Sequence, residues 1–442
     1  MQALLLLISF ILSAMLYVVP ESGIQTIIEI QLFVYVALII VNFANNRRIN
    51  LFQVWLVAFI FMIHSEMLIL ADYDNALEYL TPIFFFLISN NLVLVGYLIS
   101  RPQNSRNSNS IDYKITNYHL YVLLLLLFYV IFIWNSISEA QQNLLLGRQL
   151  DETIGTTNIW KVLANSMGII LPSLIAFLFK DANGNVKWLQ WILVLPIFIL
   201  HVILATRFKL LFSFVPFCII SGLIDISKPN WKTNASLLII LISASILSSF
   251  MKDNRYKSLG ELGTNEYVAD EYKNSRWSVK LAAELSPEGI IQVAKYADDY
   301  FKNHDLRYGL ESTNIFYRWI PRKLWPNKPT TLDHWLIRYY EDVPDTHSTS
   351  SGFIGIFRAD FGWFALIFAF FIGLIVAKIN AYMEGVCAIN TQSIEIVMAA
   401  AMIPLTFFIV RSPITSTYTL LFEYFIYLII RTFTTDKTYN IN

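Results

Sequence analysis

Cationic and aromatic side chains alternate in one short polar stretch late in the chain, and together they could hold a phosphorylated sugar. The planar guanidinium group of arginine can donate two parallel hydrogen bonds to phosphate oxygens. Flat aromatic rings can stack on the faces of sugar rings. Prolines restrict the backbone of the stretch. An interfacial belt that anchors a membrane protein at the lipid headgroups would use the same residue types. The stretch, residues 317–329 (YRWIPRKLWPNKP), contains Arg318, Arg322, Lys323 and Lys328 among Tyr317, Trp319, Trp325 and three prolines.

A histidine follows this stretch in a turn rich in serine, threonine and glycine. His347 lies in VPDTHSTSSGFIG, and Asp345 stands two positions before it. Near neutral pH an imidazole accepts a proton from a hydroxyl group, so the pattern predicts a general base. A solvent-exposed loop histidine is the alternative, and His334 in LDHW is a rival base. We interpret the others as structural: His64, His119, His201 and His304.

The outer turns show no H-x-x-x-H, D-x-D or clustered acidic pattern in the sequence. These are the ligand spacings that a protein metal site commonly uses. We therefore expect neither a metal nor a cofactor.

Two further arginines fall at the ends of apolar runs. Arg207, with Lys209, stands in the short connection HVILATRFKLLF, and Arg411 stands in FFIVRSPITS. Ionisable residues at membrane depth are costly and are usually retained for a function. The pattern predicts that Arg207 and Arg411 bind an anionic ligand; snorkelling to the headgroups is the alternative.

Long apolar runs must position these residues. The chain is 56% hydrophobic and only 14% charged, whereas a soluble domain is about a quarter charged. Runs of about 18 residues or more cross the hydrocarbon core as helices, and they are too long for the strands of a barrel. The sequence therefore predicts an all-α polytopic membrane protein. Its spans, about twelve, are residues 2–19, 24–43, 51–70, 79–99, 117–136, 159–179, 188–206, 208–224, 235–250, 352–378, 393–411 and 414–431.

Lysine and arginine in the short connections predict the orientation of these spans. They favour every second connection, which places both termini in the cytoplasm and the long loop outside it. The formal net charge is zero, so no basic surface for nucleic acid is expected. Cys218 and Cys387 lie in or beside apolar segments and imply no disulfide framework. The first run lacks a basic n-region and a cleavage site, so we expect a retained helix.

The chain divides into three regions. Residues 1–250 hold about nine spans, 251–351 form the large loop, and 352–442 hold about three spans and a tail. Within the loop, Ser286 and Pro287 are typical of a helix start, and 286–301 is predicted as an amphipathic helix. A second helix is predicted at 274–285, and we expect the loop to pack back onto the spans. The apolar face of the first helix comprises Ile290, Val293, Ala294, Ala297 and Phe301.

In its layout and in these residues the chain resembles the Wzy-type O-antigen polymerases, which join oligosaccharide repeat units, and more distantly the O-antigen ligases. The layout of about twelve spans with one long outer loop late in the chain is similar over its whole length. The specific likeness lies in Arg207, the IPRKLWPNKP segment, the turn at His347, and Gly355, Phe361 and Gly362 at the start of the tenth span.

The resemblance implies a fold similar to the GT-C glycosyltransferases and a site in the bacterial cytoplasmic (inner) membrane. The implied substrate is an oligosaccharide on undecaprenyl pyrophosphate, and a chain-length regulator protein is an implied partner beside the lipid bilayer. Outer-face arginines would bind the pyrophosphate, and His347 would act as base without a metal. Arg207, Arg318, Arg322 and Arg411 take the first role under this resemblance.

Three other functions stay open at this point. A ligase would move the glycan to a different acceptor, which no residue here identifies. A transporter or flippase would have a similar number of spans but usually shows paired halves and polar residues buried at mid-membrane. The sequence indicates neither feature. A scaffold subunit of a polysaccharide export complex is the third alternative.

Overall fold

The computed structural model shows a helical protein whose long apolar helices surround a continuous core. It describes residues 1–46, 50–72, 76–100, 111–146, 159–179, 188–203, 207–224, 275–284, 289–317, 324–341, 350–389 and 394–439, with the single residues 235, 239, 243 and 320. The predicted span at 235–250 therefore lies almost wholly outside the described residues.

The N-terminal region consists of helices that match the predicted runs closely. Residues Ile60–His64 form a π turn between α3 and α4, and Ala76–Tyr79 form a 3-10 turn before α5. The helices are α1 (Gln2–Met15), α2 (Glu21–Asn46), α3 (Leu51–Phe59), α4 (Ser65–Leu70), α5 (Leu80–Ser100), α6 (Tyr118–Leu146), α7 (Ile159–Leu178), α8 (Trp188–Ile203) and α9 (Arg207–Ile220).

The loop and the C-terminal region add eight more helices to the described part of the chain. Those of the loop are α10 (Trp277–Glu284), α11 (Ile290–Phe301), α12 (Asn314–Tyr317) and α13 (Leu332–Tyr340). Those of the C-terminal region are α14 (Gly352–Phe361), α15 (Ala365–Ile389), α16 (Glu395–Arg411) and α17 (Pro413–Thr434).

Five helical stretches in the described part are long and apolar enough to cross a membrane. They are Glu21–Asn45, Leu51–Leu70, Ala76–Ser100, Tyr118–Ile137 and Gly352–Val386. Shorter apolar helices occupy Gln2–Met15, Ser166–Leu178, Trp188–Ile203 and Leu210–Ile220. The helical character and the presence of helices able to span a membrane are therefore confirmed, whereas the number of twelve spans and their orientation stay predictions.

The tenth predicted span, 352–378, lies within the stretch Gly352–Val386 that could cross a membrane, and its helix is interrupted near the start. Helix α14 ends at Phe361, and Gly362 adopts a left-handed φ of 59° before α15. Glycine takes this conformation without a Cβ clash. The predicted all-helical class is confirmed, and the described residues add one short pair of strands to it. Strand β1 (Ile111–Ile115) pairs antiparallel with β2 (Thr435–Tyr439), since extended backbone beside α6 and α17 can satisfy its hydrogen bonds by pairing.

Helices α5 and α15 approach each other more closely than any side chain would permit. A Cβ atom on Gly373 would lie 2.1 Å from the carbonyl oxygen of Val93, and one on Gly96 would lie 2.3 Å from that of Phe370. Small residues allow membrane helices to pack backbone against backbone in this way. The two glycines therefore determine where α15, and with it α14, stands.

A buried polar cluster joins α1, α2 and α5 near the middle of these helices. The Ser9 hydroxyl donates to Asn91 Oδ1 at 2.6 Å, and Tyr35 donates to the same oxygen at 3.3 Å. Gln31 Nε2 donates to the Tyr35 hydroxyl at 3.0 Å and to Ser9 Oγ. The sequence did not indicate this cluster, because single polar residues on separate runs meet only after the helices pack.

The loop packs onto the apolar helices, as predicted, wherever it is described. Helix α10 packs against α4, and the Ser278 hydroxyl donates to Glu29 Oε1 at 2.5 Å. A small second apolar cluster joins α11, α13 and α14. Its buried members are Val293, Ala297, Leu332, Leu336 and Ala359.

Glu66 fixes the beginning of α11 to α4. Its buried carboxylate accepts hydrogen bonds from the backbone N–H groups of Ile290, Ile291 and Gln292 at 2.6, 2.9 and 3.1 Å. A carboxylate at a helix N-terminus satisfies free donors and interacts favourably with the helix dipole. The apolar face of α11 was predicted correctly. The described helix begins at Ile290, after a left-handed Gly289, with Glu66 as its cap; the predicted start at Ser286 and Pro287 lies outside the described residues.

We expect Glu66→Ala to release α11 from the membrane helices. Three N–H groups would lose their acceptor, and each buried unsatisfied donor costs about 1–3 kcal/mol, so the loss is about 3 kcal/mol or more. Limited proteolysis in detergent should cleave the loop faster. Glu78→Ala is the matched control, because the side chain of Glu78 is 55% exposed and forms an ion pair with Lys295 of the same helix at 3.3 Å; such pairs contribute about 0–1 kcal/mol. Equal cleavage rates in both variants would contradict the assignment.

Candidate functional site

A cleft between α5, α11 and α14 is the candidate functional site. Its inner volume is about 10 Å³, which is room for about one water molecule. Phe85 and Phe86 form an apolar wall, while Asp298, Ser351 and Arg358 contribute polar groups. A space of this size suits one hydroxyl group of a ligand or a water molecule.

The polar side of the cleft is built around one ion pair. Arg358 donates to Asp298 Oδ1 from Nε at 2.8 Å and from Nη2 at 2.7 Å. Its guanidinium carbon lies 4.2 Å from the ring centre of Phe85 and 4.3 Å from that of Trp363. Stacking between two aromatic rings holds the guanidinium in one plane and one position.

Three polar atoms on the wall of the cleft have no partner among the described residues. They are Asp298 Oδ2, Arg358 Nη1 and Ser351 Oγ, and all three are buried. They comprise an acceptor, a donor and a hydroxyl that can serve as either. Buried polar groups are normally satisfied, so the arrangement suits a hydroxyl group or a water molecule. Burial raises the pKa of Asp298, and the neighbouring Arg358 partly offsets that rise.

We expect Arg358→Ala to lower stability by about 3–5 kcal/mol, because it leaves a buried charge on Asp298. Adding Asp298→Asn should restore part of the loss, since the remaining charge is removed. The pKa of Asp298 is higher in the folded protein than in the unfolded chain. The charged carboxylate therefore lowers the stability at a pH above the folded-state pKa. This loss of stability disappears once the pH falls below the pKa of the unfolded chain. The single variant should therefore regain stability on acidification. Thermal unfolding measures this, and additive losses in the double variant would contradict the pairing.

The structure brings the turn after His347 to Arg411. The Ser350 hydroxyl donates to the backbone carbonyl of Arg411, which is the last residue of α16. The Arg411 guanidinium lies 5.4 Å from the ring centre of Phe408, on the preceding turn. Arg411 is half-buried at the helix end.

Arg207 begins α9, which packs against α16. The rings of Phe212 and Phe408 meet at 5.3 Å between centres. Arg207 precedes Phe212 by five positions on α9, and Arg411 follows Phe408 by three positions on α16. Each arginine backbone therefore lies within about 8 Å, measured along its helix, of the contact between the two rings. The Arg207 side chain is outside the described residues, as are Arg318, Arg322 and His347.

Two buried carboxylates fix the chain on either side of the cationic stretch. Asp360 accepts from the backbone N–H groups of Glu311 and Ser312 at 3.0 and 2.6 Å. Glu311 in turn accepts from the Leu332 N–H at 2.9 Å and contacts Arg307 at 3.1 Å. The flanks of the segment that contains Arg318 and Arg322 are therefore anchored to α14. Burial raises the pKa of Glu311, although its hydrogen bonds and Arg307 act against that rise.

Lys328 and Tyr317 form contacts within the cationic stretch. Its ammonium group donates to the Ile320 carbonyl at 2.8 Å, and the Tyr317 hydroxyl donates to the Leu310 carbonyl at 2.9 Å. Tyr317 also packs edge-on against Trp325, with 5.5 Å between ring centres. These contacts join the described parts of the stretch to one another.

The sequence analysis missed Glu66, Asp298, Arg358 and Asp360. Glu66, Arg358 and Asp360 carried a usable signal, because each is a charged residue within or at the start of an apolar run, where charge is costly. Asp298 carried none, since it stands in a charged stretch of α11 that resembles any solvated helix face. In the described part of the chain no group of three His, Cys, Asp or Glu residues could hold a metal ion.

Comparison of the chain with protein-family models, with curated proteins and with solved structures finds no match.

Proposed function

We propose that the protein is a membrane glycosyltransferase that polymerises oligosaccharide repeat units carried on undecaprenyl pyrophosphate. The observation that carries this proposal is the hydrogen bond from Ser350 to Arg411. It joins the turn that holds the candidate base to the helix end that holds a candidate phosphate-binding cation.

Chain geometry limits how far the remaining candidates can stand from this point. His347 precedes Ser350 by three positions, which is at most about 11 Å of extended chain. Arg207 begins the helix that packs on α16 beside Phe408. Both flanks of the cationic stretch are anchored to α14. This anchoring supports a position for Arg318 and Arg322 at the same end of the molecule as Arg411.

The chemistry requires a base and a charge-stabilising clamp. The acceptor hydroxyl attacks the anomeric carbon, the carbon–oxygen bond to pyrophosphate breaks, and a new glycosidic bond forms. His347 takes the hydroxyl proton, while Arg207, Arg318, Arg322 and Arg411 stabilise the negative charge on the departing pyrophosphate. Attack from the opposite face inverts the anomeric configuration. Fixed guanidinium groups suffice for this reaction, so the proposal needs no metal.

Apolar helix faces suit the lipid carrier. On α8, Trp188, Ile192, Leu195 and Ile199 are each about half or more exposed, and α6 has a similar row. Exposed residues of this kind favour contact with acyl or prenyl chains. The proposed site is the bacterial cytoplasmic membrane, with the loop outside the cytoplasm and a chain-length regulator as partner.

A transporter of lipid-linked glycan is the second candidate, and the buried cluster of Ser9, Gln31 and Asn91 favours it. Polar residues at mid-membrane often mark a substrate path. Most polar atoms in this cluster are satisfied by one another, however, as in a structural network. A ligase differs from a polymerase only in its acceptor.

The deciding experiment uses purified protein in nanodiscs with a lipid-pyrophosphate-linked repeat unit, with and without chelator. A ladder of products that survives the chelator would support a metal-independent polymerase. A single transfer to lipid A core would indicate a ligase. Lipid crossing the bilayer of proteoliposomes without glycan transfer would indicate a transporter and overturn the proposal.

A further inference from the structure

A row of stacked aromatic rings covers the solvent side of α11 and α13. We call it the tyrosine surface, and it comprises Tyr296, Tyr300, His304, Tyr339 and Tyr340. Tyr296 stacks on Tyr340 with 4.7 Å between ring centres, and Tyr300 stacks on His304 at 4.0 Å. Tyr339 packs edge-on against Tyr300 at 5.3 Å and against Tyr340 at 5.1 Å.

The inner part of this surface packs on the core and the outer part is exposed. Val293, Ala297, Leu332 and Leu336 are buried between α11, α13 and α14, and Tyr296 and Tyr300 pack partly buried against them. Tyr339 is 61% exposed and Tyr340 is 37% exposed. A packing role explains the inner edges of these rings but not their exposed faces.

Three hydroxyl groups of the surface are available for binding. The hydroxyl groups of Tyr300, Tyr339 and Tyr340 donate no hydrogen bond to any residue that the structure describes. Tyr296 instead donates to Glu341 Oε1 at 2.8 Å, which positions that carboxylate at the end of the row.

The charges around the surface are mixed and compensate one another. Asp299 contacts Lys295 at 3.0 Å and Lys302 at 2.7 Å, and Glu78 and Glu341 complete the rim. The two lysines hold the pKa of Asp299 below its usual value despite partial burial, so it is charged at neutral pH. Such a rim does not favour a polyanion, and its charged groups do not favour insertion into lipid. Exposed ring faces beside carboxylates and free hydroxyls match the apolar faces and hydroxyl groups of sugar rings.

We propose that the tyrosine surface binds a carbohydrate chain. Under the proposed function, on which the identity of the chain rests, this is the glycan being extended. Tyr339 and Tyr340 stack on sugar faces, and Glu341 accepts hydrogen bonds from sugar hydroxyls. The surface holds the chain near α14 while the reaction proceeds at the helix end.

The test measures binding without turnover. The probe is a printed array of short bacterial surface oligosaccharides, read with labelled protein in nanodiscs. The wild type should bind members of the array, and Tyr339→Ala/Tyr340→Ala should bind them about tenfold or more weakly, which corresponds to about 1.4 kcal/mol. Phe316→Ala is the matched control, because Phe316 is a 74% exposed aromatic residue of the same loop.

The outcomes separate this proposal from the proposed function. Binding that depends on the tyrosines would support it even if no glycan ladder forms, whereas a ladder without tyrosine-dependent binding would overturn it alone. Absence of binding by the wild type would also overturn it. If the double variant instead dissociates from the nanodisc, the tyrosines are membrane anchors and the proposal fails.

Discussion

Replacing His347 by alanine is expected to lower the rate of glycan transfer by about 10²–10⁴-fold, which is the usual contribution of a positioned general base. The acceptor hydroxyl would then lose its proton acceptor, while the arginines would still bind the pyrophosphate. The amount of protein and its insertion in the membrane should not change. The ladder assay in nanodiscs measures the rate, and circular dichroism checks the fold.

Two other histidines make this result specific. His119 begins α6 near Tyr118, away from α14 and α16, so His119→Ala should retain full activity. His334 is half-buried in α13 and is the rival base. Normal polymer from His347→Ala with none from His334→Ala would transfer the role to His334. Normal polymer from both variants would remove histidine from the mechanism.

Gly373→Leu should abolish the native packing of α5 against α15. Its Cβ would lie 2.1 Å from the Val93 carbonyl oxygen and 2.9 Å from the Tyr97 nitrogen. Backbone atoms cannot rotate away as a side chain can, so the helices must separate. Overpacking of a close interface typically costs about 1–3 kcal/mol, and leucine at this backbone contact should exceed the upper value.

Size-exclusion profiles and unfolding temperature in detergent measure the effect. Ile375→Ala, on the same helix, is the matched control, because Ile375 is 54% exposed and faces away from α5. The control should behave like the wild type. A native profile for Gly373→Leu would show that α5 and α15 do not make this contact in the protein.

Sequence periodicity and length were enough to predict the helices because a run of apolar residues has few other folded forms in lipid. The buried face of α11 was also predictable, since Ile290, Val293 and Ala297 recur at helical spacing. The start of α11 was not. Its cap, Glu66, comes from 224 positions earlier in the chain, and local patterns contain no information about such a partner.

Some features of the candidate site could be predicted from the sequence, and others could not. The sequence predicts Arg411 as a site residue because a cation at the end of an apolar run is unusual, and this stays a prediction. The pairing of Arg358 with Asp298 was not predictable, since it depends on α11 docking against α14. The interruption of the tenth span depends on the left-handed backbone at Gly362. A single glycine in an apolar run does not predict such an interruption.

The π turn at Ile60–His64 determines the direction in which Glu66 points. A π turn accommodates one residue more than the α-helical path, and each added residue rotates everything after it by about 100°. Without that insertion, the carboxylate that caps α11 would face another side of the helix. Docking of the loop therefore depends on the helical register of the apolar helix that carries Glu66, as well as on the composition of that helix. A relative of this chain that lacked one residue at this turn would need a different acid, from a different helix, to hold its loop in place.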